Sequence, residues 1–472
     1  MPDRPANRPT APLHLSVVGH TNTGKTSLMR TLMRDARFGE VAPSSATTRQ
    51  VEGARLLVDE QTLVELYDTP GLEDAGALIE RLDALPGDRH GGPERIRAFL
   101  ETTDAGQRFE QEARVLRQLL QSDAALYVVD TREPVLGKYQ DELAILALCA
   151  RPVLPVLNFT ANAKSRVDRW REALARVGLH AVAEFDTVVF SLEAEARLWR
   201  RLATLVESHG QEMERLIDTR ERQAEWQHHA AITRVAEMLI DAAAAYRLAH
   251  RHDPADIGRA TQELQQAVSA REQSCARQLL ELFRFDEEFE QQLPLPIDKH
   301  GWQHDVFDPA LLGLYGKRTG SGLAAGAAMG AAVDVASGGL SLGAGTLVGA
   351  ISGGGGAAIW QLRRDLADRV RGRLRIMVDA AALSHLAARE LALVDALRQR
   401  GHAAQTPIGF GHKRKNPWPD QRLPRALIQA RLEPALSSLN HDSPHSPGRQ
   451  ERVHALAAQL RKSIRAGIDP HA

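Results

Sequence analysis

Residues 19–26 read Gly19-His20-Thr21-Asn22-Thr23-Gly24-Lys25-Thr26, which is the spacing G-x-x-x-x-G-K-[ST] of a phosphate-binding loop. The residue types state the chemistry. Gly19 and Gly24 allow turn conformations in which backbone N–H groups approach phosphate oxygens closely. The helix that should begin at the end of the loop adds partial positive charge. Lys25 reaches the β- and γ-phosphates, and the Thr26 hydroxyl is placed to ligate Mg²⁺; the expected cradle runs from Gly19 to Ser27.

A second chemical cluster follows the apolar run Leu63–Tyr67. Asp68-Thr69-Pro70-Gly71 has the form D-x-x-G, in which Asp68 holds Mg²⁺ through water and the Gly71 N–H senses a γ-phosphate. Such a contact lets hydrolysis release a loop. Between the two motifs lies the polar segment Pro43-Ser44-Ser45-Ala46-Thr47-Thr48-Arg49, the expected first switch. One threonine hydroxyl there completes the Mg²⁺ shell, with Thr48 favoured over Thr47. The expected catalytic set is Lys25, Thr48 and Gly71.

These loops need strands to hold them. Buried or alternating apolar runs predict strands at Leu13–Val18, Ala54–Asp59, Leu63–Tyr67, Ala124–Asp130, Val153–Leu157 and Val188–Ser191. Helical patterns intervene at Ser27–Met33, Gln107–Ser122 and Lys138–Ala150. The reading is an α/β P-loop G domain, a mostly parallel sheet with helices on both faces, over residues 12–205. The stretch between Leu72 and Asp123 is longer than a minimal domain of this kind needs. It either reports nucleotide state or is a tolerated surface loop.

Taken together, G-x-x-N-x-G-K-T, T-T-R and D-T-P-G-L resemble the Era-like branch of the translation-factor-class GTPases. The resemblance implies GTP and GDP with Mg²⁺ as ligands, hydrolysis of the β–γ phosphoanhydride, and a potassium ion held with the help of Asn22. It also implies that no side chain at position 72 orients water, because Leu72 stands where Ras-like proteins carry a catalytic glutamine. Cation stimulation, with G-domain dimerisation, would complete catalysis. Glu73, Asp74 and Glu80 are acidic residues of the second switch, either orienting water or forming a solvated helix face. The guanine-reading motif N-K-x-D is matched by Asn158 but not by Phe159 or Ala161, so the main test of guanine against adenine is missing. Phe159 offers a ring face for stacking, Asp168 is a candidate substitute acceptor, and Ser191 stands where a base contact is expected.

The composition frames this reading. The chain has 472 residues, 43% hydrophobic and 25% charged, which predicts a soluble profile and more than one domain. Its formal net charge of −1 gives no electrostatic case for nucleic acid as a partner. Cys149 and Cys275 form no metal or disulfide pattern, which predicts a cytoplasmic protein. Residues 1–11 are a polar, proline-rich lead-in.

Residues 206–316 predict a helical domain and 363–472 a C-terminal helical region, giving an all-α second half. Between them, residues 317–362 hold two runs of small residues, Gly322, Gly326, Gly330 and Gly345, Gly349, Gly353. That spacing predicts a glycine-zipper helical hairpin, in contact with the cytoplasmic face of an inner membrane or buried in soluble protein, the remaining alternative being a flexible linker. Asp334 and the run Gly353–Gly356 weigh against simple membrane spanning. The expected partners are an effector or regulator protein, the membrane and a second copy through the G domain. The rival to a soluble switch is a membrane-associated structural or interaction protein whose assembly is gated by nucleotide.

Overall fold

A computed structural model describes residues 11–35, 52–85, 91–285, 297–298, 301–302, 333–335, 372–402, 404, 417–418, 423–440 and 448–468. The switch threonines Thr47 and Thr48, residues 1–10 and nearly all of the glycine-rich segment lie outside the described residues. The chain divides into two compact units, Met1–Glu225 with Gln399–Gln405, and Trp226–Arg398 with Thr406–Ala472.

The first unit is built on six strands: β1 Leu13–Val18, β2 Glu52–Val58, β3 Gln61–Asp68, β4 Ala124–Asp130, β5 Val153–Asn158 and β6 Ala183–Glu184. Their order is β2-β3-β1-β4-β5-β6. β2 pairs antiparallel with β3, and the other pairs are parallel. β4 is buried along its whole length, as a central parallel strand covered on both faces must be. Helices α1 Lys25–Met33 and α7 Leu192–Leu205 cover one face, where Leu28, Leu32, Leu198 and Trp199 join Leu15 and Val17 in one core. Helices α2 Ala75–Asp83, α3 Gly92–Leu100, α4 Glu110–Gln121, α5 Gly137–Leu148 and α6 Val167–Arg176 cover the other.

The long connection between β3 and β4 is therefore no surface loop. α3 buries Ile96 and Phe99, and the Phe99 ring meets Phe109 edge to face at 5.9 Å. A side chain at Gly92 would strike the Leu148 carbonyl at the end of α5, so α3 depends on glycine for its close approach.

The expected strand at Val188–Ser191 is not part of this sheet. The sixth strand is Ala183–Glu184, and Val189 instead bridges Arg400. The Phe190 N–H donates to the Gln399 carbonyl at 2.8 Å, and the Gly401 N–H donates to the Val188 carbonyl at 3.1 Å.

In the second unit helices dominate. The chain enters it along α8 Gly210–Ala244, followed by strand β7 Tyr246–His250 and helix α9 Pro254–Leu282. Asp253 caps α9, accepting from the Ala255 and Asp256 N–H groups, with Pro254 in the first turn. Two short strands, β8 Ile297–Asp298 and β9 Gly301–Trp302, pair antiparallel. Strands β10 Val333–Val335 and β11 Arg373–Val378 join β7 in an antiparallel sheet.

The all-α expectation is corrected at these strands. Residues 373–378 fall in a stretch read as helix, yet Leu374, Ile376 and Val378 are buried in strict alternation, the period of a strand. Asp334, expected inside a helical hairpin, lies in β10 opposite Met377. Helices α10 Ala380–Arg398, α11 Arg425–Leu432 and α12 Arg449–Ile468 follow among the described residues. Among the described residues no helix is long and apolar enough to cross a membrane.

Asp241 is the polar centre of this unit. It is almost fully buried and accepts from Arg271 Nε and from Arg449 at 2.8 Å each, and from the Ser438 N–H at 2.8 Å. Burial pushes its carboxyl upward, but the hydrogen bonds from Arg449, Ser438 and Arg271 outweigh that and hold it below the ordinary aspartate value.

Candidate nucleotide-phosphate site

Five loops leave the C-terminal ends of β1, β3, β4, β5 and β6, beside the point where the chain switches from one side of β1 to the other. Open α/β sheets bind ligands there. The loop after β1 is the G-x-x-x-x-G-K-T segment. Gly19, Asn22 and Gly24 all have positive φ, at 143°, 64° and 94°. A side chain at Gly19 would come within 2.5 Å of the Val128 carbonyl. At Asn22 the left-handed backbone is itself a reason for asparagine, which tolerates that region better than most residues.

Gly24 precedes α1 without a side-chain cap, so the first-turn N–H groups are not claimed by a capping side chain. Lys25 lies folded back over the loop, its Nζ donating to the carbonyls of Gly19 at 3.1 Å and His20 at 2.9 Å. Burial lowers its pKa from the ordinary lysine value, against the opposing pull of Asp68, Glu142 and Glu73. The Thr26 hydroxyl donates to Asp68 Oδ2 at 2.5 Å, with both residues buried. Two hard oxygen donors thus converge beside an ammonium group at the start of a helix.

The D-x-x-G turn is held against the loop. The Thr69 hydroxyl donates to the Val17 carbonyl at 2.8 Å, Pro70 is buried, and a side chain on Gly71 would come within 2.8 Å of the Thr21 amide nitrogen. Leu72 is fully buried in the core under α2, so it presents nothing to a water molecule. The three acidic candidates separate. Asp74 caps α2, accepting from the Ala77 N–H at 3.3 Å, and Glu80 is exposed on that helix. Glu73 meets the loop, accepting from the Thr21 hydroxyl at 3.1 Å. It also lines a cavity of about 520 Å³ together with Thr21, Asn22, Asp130, Lys138 and Tyr139.

His20 has a role that spacing does not reveal. Its Nδ1 lies 2.7 Å from Glu142 Oε1 and 3.2 Å from the Leu72 carbonyl, while Nε2 lies 2.9 Å from Lys138 Nζ. The first two partners only accept and the ammonium only donates, which assigns the proton to Nδ1. Glu142 is fully buried and also accepts from the Tyr127 hydroxyl at 2.8 Å. Burial, and then the Glu142 charge, push the Tyr127 hydroxyl well above the ordinary tyrosine value.

On the opposite side Asn158 binds three loops. Its Nδ2 donates to the Thr23 carbonyl, while Oδ1 accepts from the N–H groups of Phe159 and Thr187 and from the Thr187 hydroxyl. Phe159 takes a left-handed φ of 57°, and its ring lies 3.3 Å from where a Gly24 side chain would stand. The Arg132 guanidinium stacks on that ring at 3.8 Å, a cation–π contact, and is itself gripped by Asp130. The Asp130 hydrogen bond raises the Arg132 pKa above its ordinary value, against the effect of burial.

Two expected base contacts stand elsewhere. Ser191 caps α7, accepting from the Ala194 N–H at 3.3 Å, and Asp168 is exposed in the first turn of α6. The loop that Asn158 holds is instead Asp186–Val189. No spacing rule names Asp186 or Thr187.

Residues 171–458, more than half of the chain, match the family described as "Domain of unknown function (DUF3482)". Residues 14–159 match the family described as "50S ribosome-binding GTPase". No curated protein matches the chain.

Solved structures similar to it include Era in complex with MgGDPNP and nucleotides 1506–1542 of 16S ribosomal RNA. That likeness has 16% identity and a TM-score of 0.27, covering 37% of this chain and 50% of that one. A bacterial selenocysteine-specific elongation factor gives 14% and 0.28, covering 42% and 29%. Era from Aquifex aeolicus bound to GDP and AlF4⁻ gives 15% and 0.28, covering 57% and 89%. The chain spans half the length of the first of these structures. Over residues 14–159, under a third of its length, the chain is thus similar to a family of GTPases.

Proposed function

The chain belongs to the DUF3482 family, and from that premise we propose that its N-terminal domain binds GTP with Mg²⁺ and hydrolyses it slowly as a molecular switch. The observation that carries this reading is the Thr26–Asp68 pair, 2.5 Å apart beside the buried Lys25. The donor set fits Mg²⁺, which takes oxygen ligands and often only one or two from protein. Thr26 and Asp68 would hold it, with Thr48 as the expected switch ligand. When bound, Mg²⁺ supplies charge neutralisation at the β- and γ-phosphate oxygens.

The chain's own residues would do the rest. Lys25 exchanges its two loop carbonyls for phosphate oxygens and stabilises charge on the transferring group. The first-turn N–H groups of α1 and the Gly71 N–H donate to the same phosphates. Leu72 is buried and orients no water, so turnover is expected to be slow. Glu73 is the acidic residue of the second switch that meets the loop. Potassium held near Asn22 is the proposed accelerator, and pairing of two G domains the proposed setting.

Titration calorimetry of the full chain with GTP and with ATP, with and without Mg²⁺, tests the reading. Mg²⁺-dependent GTP binding is expected, and no binding of either nucleotide would overturn it. Ribosomal particles belong among the partners to test, because the family matched at residues 14–159 carries the ribosome in its description. That widens the partner list beyond what a net charge of −1 suggested.

A second reading, membrane association through residues 320–360 at the cytoplasmic face, rests on their glycine spacing alone. Co-sedimentation with liposomes, with and without that segment, tests it.

A further inference from the structure

The two loops after β5 and β6 carry a carboxylate where the sequence pattern has none. Ala161 stands at the position from which an acceptor is missing. Asp186 reaches it from the next loop, with Oδ2 accepting from the Ala161 N–H at 2.9 Å. Its Oδ1 accepts from the Val188 and Val189 N–H groups at 2.8 and 3.0 Å.

This carboxylate belongs to the nucleotide site by connection. Its neighbour Thr187 donates to Asn158, which in turn donates to the Thr23 carbonyl of the phosphate loop. The Phe159 ring, two residues before Ala161, lies against Gly24. Any base carried by a phosphate chain bound at Gly24 and Lys25, and stacked beside Phe159, would face the loops that Asp186 joins.

An ionised carboxylate offers about four acceptor sites and no donor. Three backbone N–H groups use three of them, leaving one for a donor from outside. Those same N–H groups are no longer open to a carbonyl on a base edge. The chemistry selected is an N–H on the base, against a carbonyl oxygen in the same place.

We propose that Asp186 is the specificity-determining acceptor of this site and reads the exocyclic amino group of a purine nucleotide. The inference rests on the phosphate-site reading above and names what that reading leaves open. Guanine and adenine both supply such a group, and the test separates them.

Affinities of the full chain and its Asp186→Asn variant would be measured for GTP, ITP, ATP, purine riboside triphosphate and inorganic tripolyphosphate. ITP is GTP without the 2-amino group, and purine riboside triphosphate is ATP without the 6-amino group. One amino nucleotide is expected to bind about ten- to a hundredfold tighter than its deaminated counterpart, the scale of a hydrogen bond to a charged group. Asp186→Asn should close that gap and leave tripolyphosphate binding unchanged. The pair that shows the gap names the base. Asp186→Ser, which keeps a short acceptor for the turn, should behave alike.

Absence of a gap in both pairs, or a gap that survives both substitutions, would overturn the proposal. Equal loss of tripolyphosphate binding in both variants would also overturn it, by showing a loop staple and no more. Failure of the unaltered chain to bind even tripolyphosphate would instead bring down the phosphate-site reading itself.

Discussion

The side-chain amide of Asn158 donates to the Thr23 carbonyl at 3.1 Å, so the end of β5 is hydrogen-bonded directly to the phosphate loop. Its oxygen accepts from Thr187 at the same time, which makes one buried group the common support of three loops. Replacement by alanine strands the Thr23 carbonyl and the Phe159 and Thr187 N–H groups. Asn158→Ala should cost about 2–4 kcal/mol, the penalty for a few buried polar groups left unpaired. Urea denaturation of the full chain measures it. An unchanged midpoint would show that these loops hold without the amide.

Among the described residues the Lys25 ammonium hydrogen-bonds two carbonyls of its own loop, contacts that a bound phosphate is proposed to replace. Lys25→Ala should abolish GTP binding and turnover while moving the melting temperature in the absence of nucleotide little. GTP hydrolysis that persists in the purified variant would sink the assignment of this loop.

Asn22 has two explanations that one substitution separates. Its φ of 64° suits asparagine or glycine equally well as backbone. Asn22→Gly should therefore fold normally. If the carboxamide helps to hold potassium, the unaltered chain should turn over faster in potassium than in sodium, and Asn22→Gly should lose the difference. Equal rates in the two salts before substitution would assign Asn22 to the turn alone.

Asp241 is expected to make the second unit acid-sensitive. Its folded pKa is held below the ordinary aspartate value of 3.8, so it binds fewer protons folded than unfolded. Its stabilisation is fully present above the unfolded pKa and is lost as pH falls through the folded one. Asp241→Ala should cost about 3–5 kcal/mol near neutral pH, because Arg271 and Arg449 lose a buried partner. Chemical denaturation from about pH 6 down to about pH 3 checks the sign, since removing a depressed carboxyl must flatten the slope. A variant with the same slope as the unaltered chain would contradict it.

Much of the first unit was legible because its chemistry is local. A phosphate loop is one contiguous backbone turn between a strand and a helix, and glycine, lysine and threonine at fixed spacing announce it. The strands that carry it are central and buried, so they read as unbroken apolar runs. Val188–Ser191 misled for the same reason. The run is as apolar as a strand, but Asp186 takes the Val188 and Val189 N–H groups that a ladder would need. In the second unit, Leu374, Ile376 and Val378 carried a period-two signal within a stretch rich in helix formers, and the neighbours of that stretch outweighed it.

The sequence by itself determined where the candidate phosphate chemistry lies: Gly19 to Thr26 and Asp68 to Gly71 have, by residue type and order, the pattern expected of a site for a triphosphate and a hard cation. Tertiary structure decided what surrounds it. Only folding brings Glu142 to His20 and Asp186 to Ala161, and it buries Leu72 beneath α2. It also seats Gly401 against Thr187, where any side chain would collide with the Thr187 carbonyl. These pairs are separated by many residues and follow no spacing rule. They exist because buried polar groups must find partners, and which partner is near is set by the packing of strands and helices.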